Sequence, residues 1–267
     1  MIEQFYAVSW IQKSWHSIFV GFIYALIGIF SSILQFKSYG GIVSLGFVSV
    51  LLIPTVSAFF KRTEQKQMRA RFFSIRRFYH DHGSVIKSTL LLFLGIFFAY
   101  TMVGLILPAA AILEIFQPQI QTVGIEGAAF QSSLFGSILQ NNLFVFLVCF
   151  FVSLAFGAGS VLFLTWNASV WGIAMAYFVR QAAAVGGNPV LVFFATALPF
   201  MPHLITEAFA YVSAAIVGGI VSKAVINEDF RSKRFSRIIR DAVLFMGFGF
   251  ILVVLGAAIE VYVFPML

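Results

Sequence analysis

The chain has 267 residues, 61% hydrophobic, 17% aromatic and only 10% charged, with 34 phenylalanines and a formal net charge of +7. A soluble domain carries about 25% charged residues, and one this apolar would expose patches that aggregate; a soluble enzyme and a disordered chain are therefore excluded. What remains is an all-α, polytopic transmembrane helical bundle. A β-barrel would show segments of about ten residues alternating apolar and polar side chains, whereas this chain has long unbroken apolar runs.

In chain order, residues 3–15 carry Phe5, Tyr6, Trp10 and Trp15, side chains that favour headgroup depth. Apolar spans then follow at 17–36, 41–60, 88–113, 143–166, 204–225 and 242–263, each with the roughly 20 residues that cross a bilayer as a helix. The first is too long for a cleaved signal peptide, and no clear small-residue cleavage site follows it. Between the second and third spans lie Lys61, Arg62, Lys66, Arg69, Arg71, Arg76, Arg77 and Lys87; around the last connector lie Lys223, Arg231, Lys233, Arg234, Arg237 and Arg240. Basic residues concentrated in short connectors mark the cytoplasmic face rather than nucleic-acid binding. Residues 67–80 and 227–240 interleave these cations with Phe72, Phe73, Phe78, Tyr79, Phe230, Phe235, Ile238 and Ile239. That is the composition of helices that lie on anionic lipid, and Asn227-Glu228-Asp229 is a suitable helix start for the second.

Residues 168–201 are apolar but carry Arg180, Gly186-Gly187-Asn188-Pro189 and Pro199. Placing both basic connectors on one face requires one net crossing here, plus a broken or re-entrant piece at 190–201, for about seven crossings in all. The N-terminus is then cytoplasmic and the C-terminus outside, in a cell membrane. The outer connector 114–142 contains no Lys or Arg and is too short for an independent domain. The chain divides into an N-terminal membrane region (1–130) and a membrane core with the C-terminal span (131–267).

Polar groups inside spans are the candidate functional residues, because they are costly there and face a partner or a cavity. His203 and Glu207 stand four apart and share a helix face. They suit a structural pair, a proton or cation site, or acid–base work. A metal site needs a further ligand, and no other His lies in a nearby span, so no metal or other cofactor is expected. Asn141-Asn142 and Asn167 read as residues that open and close span 143–166. Arg180 is expected to extend to the interface or to pair with Glu207 or Glu114. Cys149, the only cysteine, reads as a buried, inert thiol. Small residues recur at Gly21/Ala25, Gly95/Ala99, Ala155/Gly159, Gly172/Ala176 and Ala214/Gly218, a spacing that lets helix backbones approach closely. No phosphate loop, HExxH or GxSxG element is present.

Three segments resemble the stage II sporulation protein M (DUF95) family. They are Gln140-Asn141-Asn142-Leu143 leading to Gly157-Ala158-Gly159, Thr165 through Gly172, and Leu198 through Glu207 followed by small residues to Gly218-Gly219. Ala168 and Leu204 stand where that family's pattern has glycine. The resemblance implies a multi-pass protein without known catalytic chemistry, whose sporulation member scaffolds cell-wall-remodelling partners. It also implies a polar constellation of Asn142, Asn167, His203 and Glu207. The expectation is a non-enzymatic membrane scaffold for an envelope- or membrane-remodelling complex, with lipids, protein partners or further copies of the chain as its contacts. The alternatives are a small-solute or ion transporter using His203 and Glu207, and an intramembrane hydrolase.

Overall fold

The computed structural model describes residues 14–67, 75–127, 133–184, 186 and 188–263. Nine α-helices occupy them: α1 (His16–Phe36), α2 (Gly40–Gln67), α3 (Ile75–Ile106), α4 (Ala109–Ile115), α5 (Gln117–Gly127), α6 (Ser133–Phe156), α7 (Val161–Ala184), α8 (Pro189–Asn227) and α9 (Lys233–Ala258). A π-helical turn (Ile259–Val263) prolongs α9. Six stretches are long and apolar enough to cross a membrane, the first of them 44 residues long. The turn Lys37–Tyr39 divides that first stretch into α1 and α2, so seven helices cross: α1, α2, α3, α6, α7, α8 and α9. In a bilayer every backbone polar group must be satisfied within the protein, which is why the spans are helical throughout.

The crossings alternate in direction, with Lys37 and Arg180 toward one end and the α8–α9 connection at the other. The end of α8, the α8–α9 connection and the start of α9 make a basic face with Lys223, Arg231, Lys233, Arg234, Arg237 and Arg240. The α1–α2 turn, α4, α5, Gly186 and the π-turn lie at the other end. Of the cations read as membrane-surface residues, Arg231, Lys233, Arg234 and Arg237 take their places at the α8–α9 connection, with Arg234 paired to Glu228 at 3.1 Å. Arg76 and Arg77 fall in the first turn of α3, their side chains outside the described set, and Arg69 and Arg71 lie outside the described residues altogether. So does most of the aromatic segment 3–15.

One apolar core joins both halves of the chain, from Ala25 and Ile29 on α1 to Val253 on α9. Apolar burial does not drive helix association inside lipid; close packing does. The glycines show how it is achieved. A Cβ on Gly21 would collide with the carbonyl of Leu92 on α3, and one on Gly95 with the carbonyl of Ile18 on α1. The α1 and α3 backbones therefore touch along the two small-residue pairs Gly21/Ala25 and Gly95/Ala99. Gly172 does the same for α7 against Phe97 and Tyr100 of α3, and Gly218 for α8 against Phe150 and Ser153 of α6. These small-residue rows serve contacts within the chain.

Several boundaries differ from the sequence expectation. Span 143–166 is not one crossing: α6 ends at Phe156, Gly157 takes φ +62, and α7 begins at Val161. Gly157 is tolerant of that left-handed conformation, so it makes a tight turn inside an apolar run. Ahead of α8, Gly186 has φ +95 and the Asn188 side chain caps the helix. Residues 190–201, expected to be broken or re-entrant, are helical and continue through Pro199 and Pro202 into the crossing. The last amphipathic helix starts at Ser232, whose hydroxyl accepts from Phe235 N, and not at Asn227-Glu228-Asp229, where α8 ends. The third crossing stops at Ile106 rather than 113, and the chain returns through α4 and α5. There Gln119 donates to the Gly41 carbonyl at 3.1 Å, and Phe116 is fully buried.

Arg180 supplies a further tie. Its guanidinium donates to the carbonyls of Gly104, Leu105 and Leu107 at 3.2, 3.3 and 2.6 Å. A cation at a helix C-terminus satisfies free carbonyls and complements the helix dipole. Arg180 thus closes α3 by extending its side chain to the helix end, and the alternative of pairing with Glu207 or Glu114 is not taken.

Gly95→Ala forces the α1–α3 contact apart and is expected to cost about 1–3 kcal/mol, as overpacking does. At Gly46 a Cβ meets nothing within 4 Å, and Gly46→Ala is expected to be neutral or to stabilise by up to about 1 kcal/mol through helix propensity. Unfolding of the two variants by detergent titration, side by side, measures both.

Candidate functional site

The deepest polar cluster forms where α6, α8 and α9 meet. His203 and Glu207, one helical turn apart on α8, are 3% and 2% exposed. α8 runs through Pro199 and Pro202 just ahead of them, and the hydroxyl of Thr206 donates to the Pro202 carbonyl at 2.7 Å. His203 Nδ1 lies 3.8 Å from Glu207 Oε1 and 3.2 Å from Glu260 Oε2. Glu260 belongs to the π-helical turn at the end of α9, a widening of the helix that often occurs at functional positions. Gly256, one turn earlier, makes room for Glu207: a Cβ there would sit 2.9 Å from the Glu207 Cγ.

The remaining groups orient these three. Asn142 on α6 is buried and donates through Nδ2 to Glu207 Oε1. The Asn141 amide donates in turn to Asn142 Oδ1 at 3.3 Å, and Tyr211 OH reaches Glu207 Oε2 at 3.5 Å. Trp171 of α7 meets the His203 ring edge-on, with centroids 4.6 Å apart at 89°. A carboxylate held by several donors and an imidazole fixed by an aromatic wall are preorganised in orientation. Beside the cluster a narrow cleft of ≈ 30 Å³ is lined by polar Asn141, Asn142, Asn167, Thr122, Glu207 and Glu260, among others.

Of the four residues expected to form the constellation, Asn142, His203 and Glu207 are in direct contact. Asn167 lines the same cleft, but its amide is spent on the Phe163 carbonyl, 2.8 Å away in its own helix. Neither asparagine is a helix end. Asn142 stands well inside α6 and Asn167 inside α7, because the crossings are displaced from 143–166. Glu260 and Tyr211 were not anticipated. Glu260 is a carboxylate within an otherwise apolar final span, and intramembrane charge alone marks such a residue. Tyr211 is one further turn along the His203–Glu207 face.

The site lies away from the basic face. At about 1.5 Å of rise per residue, Glu207 is about 24 Å along α8 from Lys223, and Glu260 about 30 Å along α9 from Arg240. It therefore lies toward the end of the bundle opposite Lys223 and Arg240. Asn142→Ala leaves a buried carboxylate oxygen without its donor and is expected to destabilise the protein by about 1–3 kcal/mol. Asn167→Ala removes only an in-helix bond and should fall within about 0.5 kcal/mol of the parent. Thermal unfolding of both variants in the same detergent is the measurement.

No curated protein and no solved structure matches the chain. Residues 88–265 match the family described as Stage II sporulation protein M. The match takes in α3 as well as the three segments that meet at the site: Asn142 on α6, Trp171 on α7, and His203 with Glu207 on α8. It spans well over half of the sequence, and the chain belongs to the stage II sporulation protein M family of multi-pass membrane proteins.

Proposed function

We propose that the protein is a non-enzymatic membrane scaffold, which holds partner proteins together in a complex concerned with the envelope or with membrane shape. The observation that carries this reading is the size of the cleft at the polar site. A volume of ≈ 30 Å³ accommodates roughly one or two waters; a lipid, peptide or organic solute needs a pocket of at least about 300 Å³. Backbone-to-backbone contact at Gly21, Gly95, Gly172 and Gly218 also favours a bundle that stays closed over one that rocks open. The connections at 157–160 and 228–232 are short, which leaves the intramembrane flanks and the basic face as the surfaces for partners. Basic connectors favour the cytoplasmic side, which puts the N-terminus inside and the polar site in the outer leaflet of the cell membrane.

A second reading, passage of a proton or small ion through His203 and Glu207, draws on the same cluster. Ionisable groups at membrane depth mark ion and proton pathways in transporters. An intramembrane hydrolase draws less support, because such a cleft does not admit its substrate.

Gentle purification from native membranes, with mass spectrometry of the co-purifying chains and the native mass of the particle, tests the scaffold directly. A stoichiometric protein partner is expected. A lone chain or homo-oligomer that moves protons or ions in liposomes, and stops doing so on Glu207→Ala, would replace it with the transport reading.

The orientation is tested separately. Cys149 is fully buried, so the parent should give little thiol labelling. Asn188→Cys should react with an impermeant maleimide added outside intact cells, and Ser236→Cys only after permeabilisation. The reverse pattern would invert the topology.

A further inference from the structure

We infer that His203, Glu207 and Glu260 form a binding site for one divalent transition-metal cation, with zinc the best fit among common ions. The inference stands apart from the scaffold reading: it concerns what the cluster holds, whatever the protein assembles or conducts.

Three potential ligands come from two helices. One nitrogen of His203 and one oxygen of each glutamate all lie within 4.8 Å of one another. Metal–ligand bonds of about 2.0–2.1 Å at a tetrahedral zinc imply ligand–ligand separations of about 3.3–3.4 Å. The His203–Glu260 and His203–Glu207 separations of 3.2 and 3.8 Å bracket that value. Little movement would be needed to close the third edge, because Glu260 sits on a π-turn at the chain's last described helix and is partly exposed.

Charge balance points the same way. The groups that face Glu207 are His203, Glu260, Tyr211 and Asn142. None of them is a lysine or arginine, and the described partners of Arg234 and Arg240 are Glu228 and Asp241 at the basic face. Two carboxylates this close repel each other, and in a low dielectric they are expensive to keep charged. A divalent cation with a neutral imidazole neutralises both at once. The donor set of one imidazole and two carboxylates, without a thiolate, suits zinc and neighbouring first-row ions.

The surroundings have the features of an outer shell. Asn142 donates to Glu207, Asn141 to Asn142, and Trp171 walls the imidazole; such contacts fix the direction of ligand lone pairs. The cleft, lined by Glu207 and Glu260 themselves, leaves room for a water to complete the coordination. By joining α8 to α9, a bound ion would also fasten the final helix to the bundle.

The test uses the full chain, purified without a polyhistidine tag and stripped with chelator. Titration with Co2+ reports coordination through visible absorption, and equilibrium dialysis with Zn2+ reports stoichiometry. About one ion per chain is expected, with Co2+ absorption of tetrahedral intensity that Zn2+ abolishes. Glu260→Gln and His203→Ala should each weaken Zn2+ binding by about tenfold or more, while Glu228→Gln, at the basic face, should leave it unchanged. Glu260→Gln keeps the size and shape of the residue, and its elution profile shows whether the bundle has survived. Binding of no ion by the parent chain overturns the inference. So does Zn2+ binding that is equal in the parent and in a monodisperse Glu260→Gln variant.

Discussion

Glu207 sets the terms for the C-terminal half of the bundle. A carboxyl group buried at 2% exposure between helices cannot be left to the lipid, so its neighbours are arranged around its two oxygens. Asn142 reaches one from α6, Tyr211 the other from α8, and Gly256 gives way on α9. Substituting any of the three changes how α6, α8 and α9 fit together, because each contact crosses or borders a helix interface. The position of α9 in turn determines where Glu260 stands. Polar satisfaction in one place thus orders three crossings, which apolar packing alone would specify weakly, since every face of such helices is apolar.

The other half is ordered by contact of a different kind. Between α1 and α3, and between α3 and α7, the specifying feature is absence of a side chain. Gly21, Gly95 and Gly172 admit a carbonyl or a backbone amide where any Cβ would stand. Register is fixed because only those positions can meet. Polar ties then pin the end away from the α8–α9 connection: Arg180 on the last carbonyls of α3, Gln119 on Gly41, and the Ser44 hydroxyl with Tyr100 at 2.7 Å. The same α3 meets α1 on one side and α7 and α8 on others, so it connects the two regimes.

Much of this was legible in the residues before any coordinates. Apolar run length gave most of the crossings, and the His203–Glu207 spacing gave the core of the site. What stayed hidden has a physical reason in each case. Gly157-Ala158-Gly159 turns the chain without a polar residue to mark it, so α6 and α7 were cut ten residues too late. That displacement made Asn142 and Asn167 look like helix ends, although one is a tertiary ligand of Glu207 and the other bonds within its own turn. Pro199 and Pro202 suggested a break, but α8 continues through both, as a helix packed among neighbours can. Glu260 carries no motif; only the folding of α9 back against α8 brings it to His203.

The family match begins at residue 88, so α1 and α2 lie outside it while the whole polar site lies inside. Yet α1 is not a loose appendage. It is in backbone contact with α3 at Gly21 and Gly95, and α2 contributes Val48, Leu52 and Val56 to the common core. A hairpin held that closely shares the fate of the helix it grips. Displacing α1 would uncover the glycine face of α3, whose other side carries Tyr100 and Phe97 against Gly172 of α7, the helix that presents Trp171 to His203. Through these contacts the N-terminal hairpin has a continuous packed route to the polar site, made of helix contacts, and the π-turn at its far end is tied to α8 through Glu260 and His203 at 3.2 Å and to α6 through Tyr262 and Phe135.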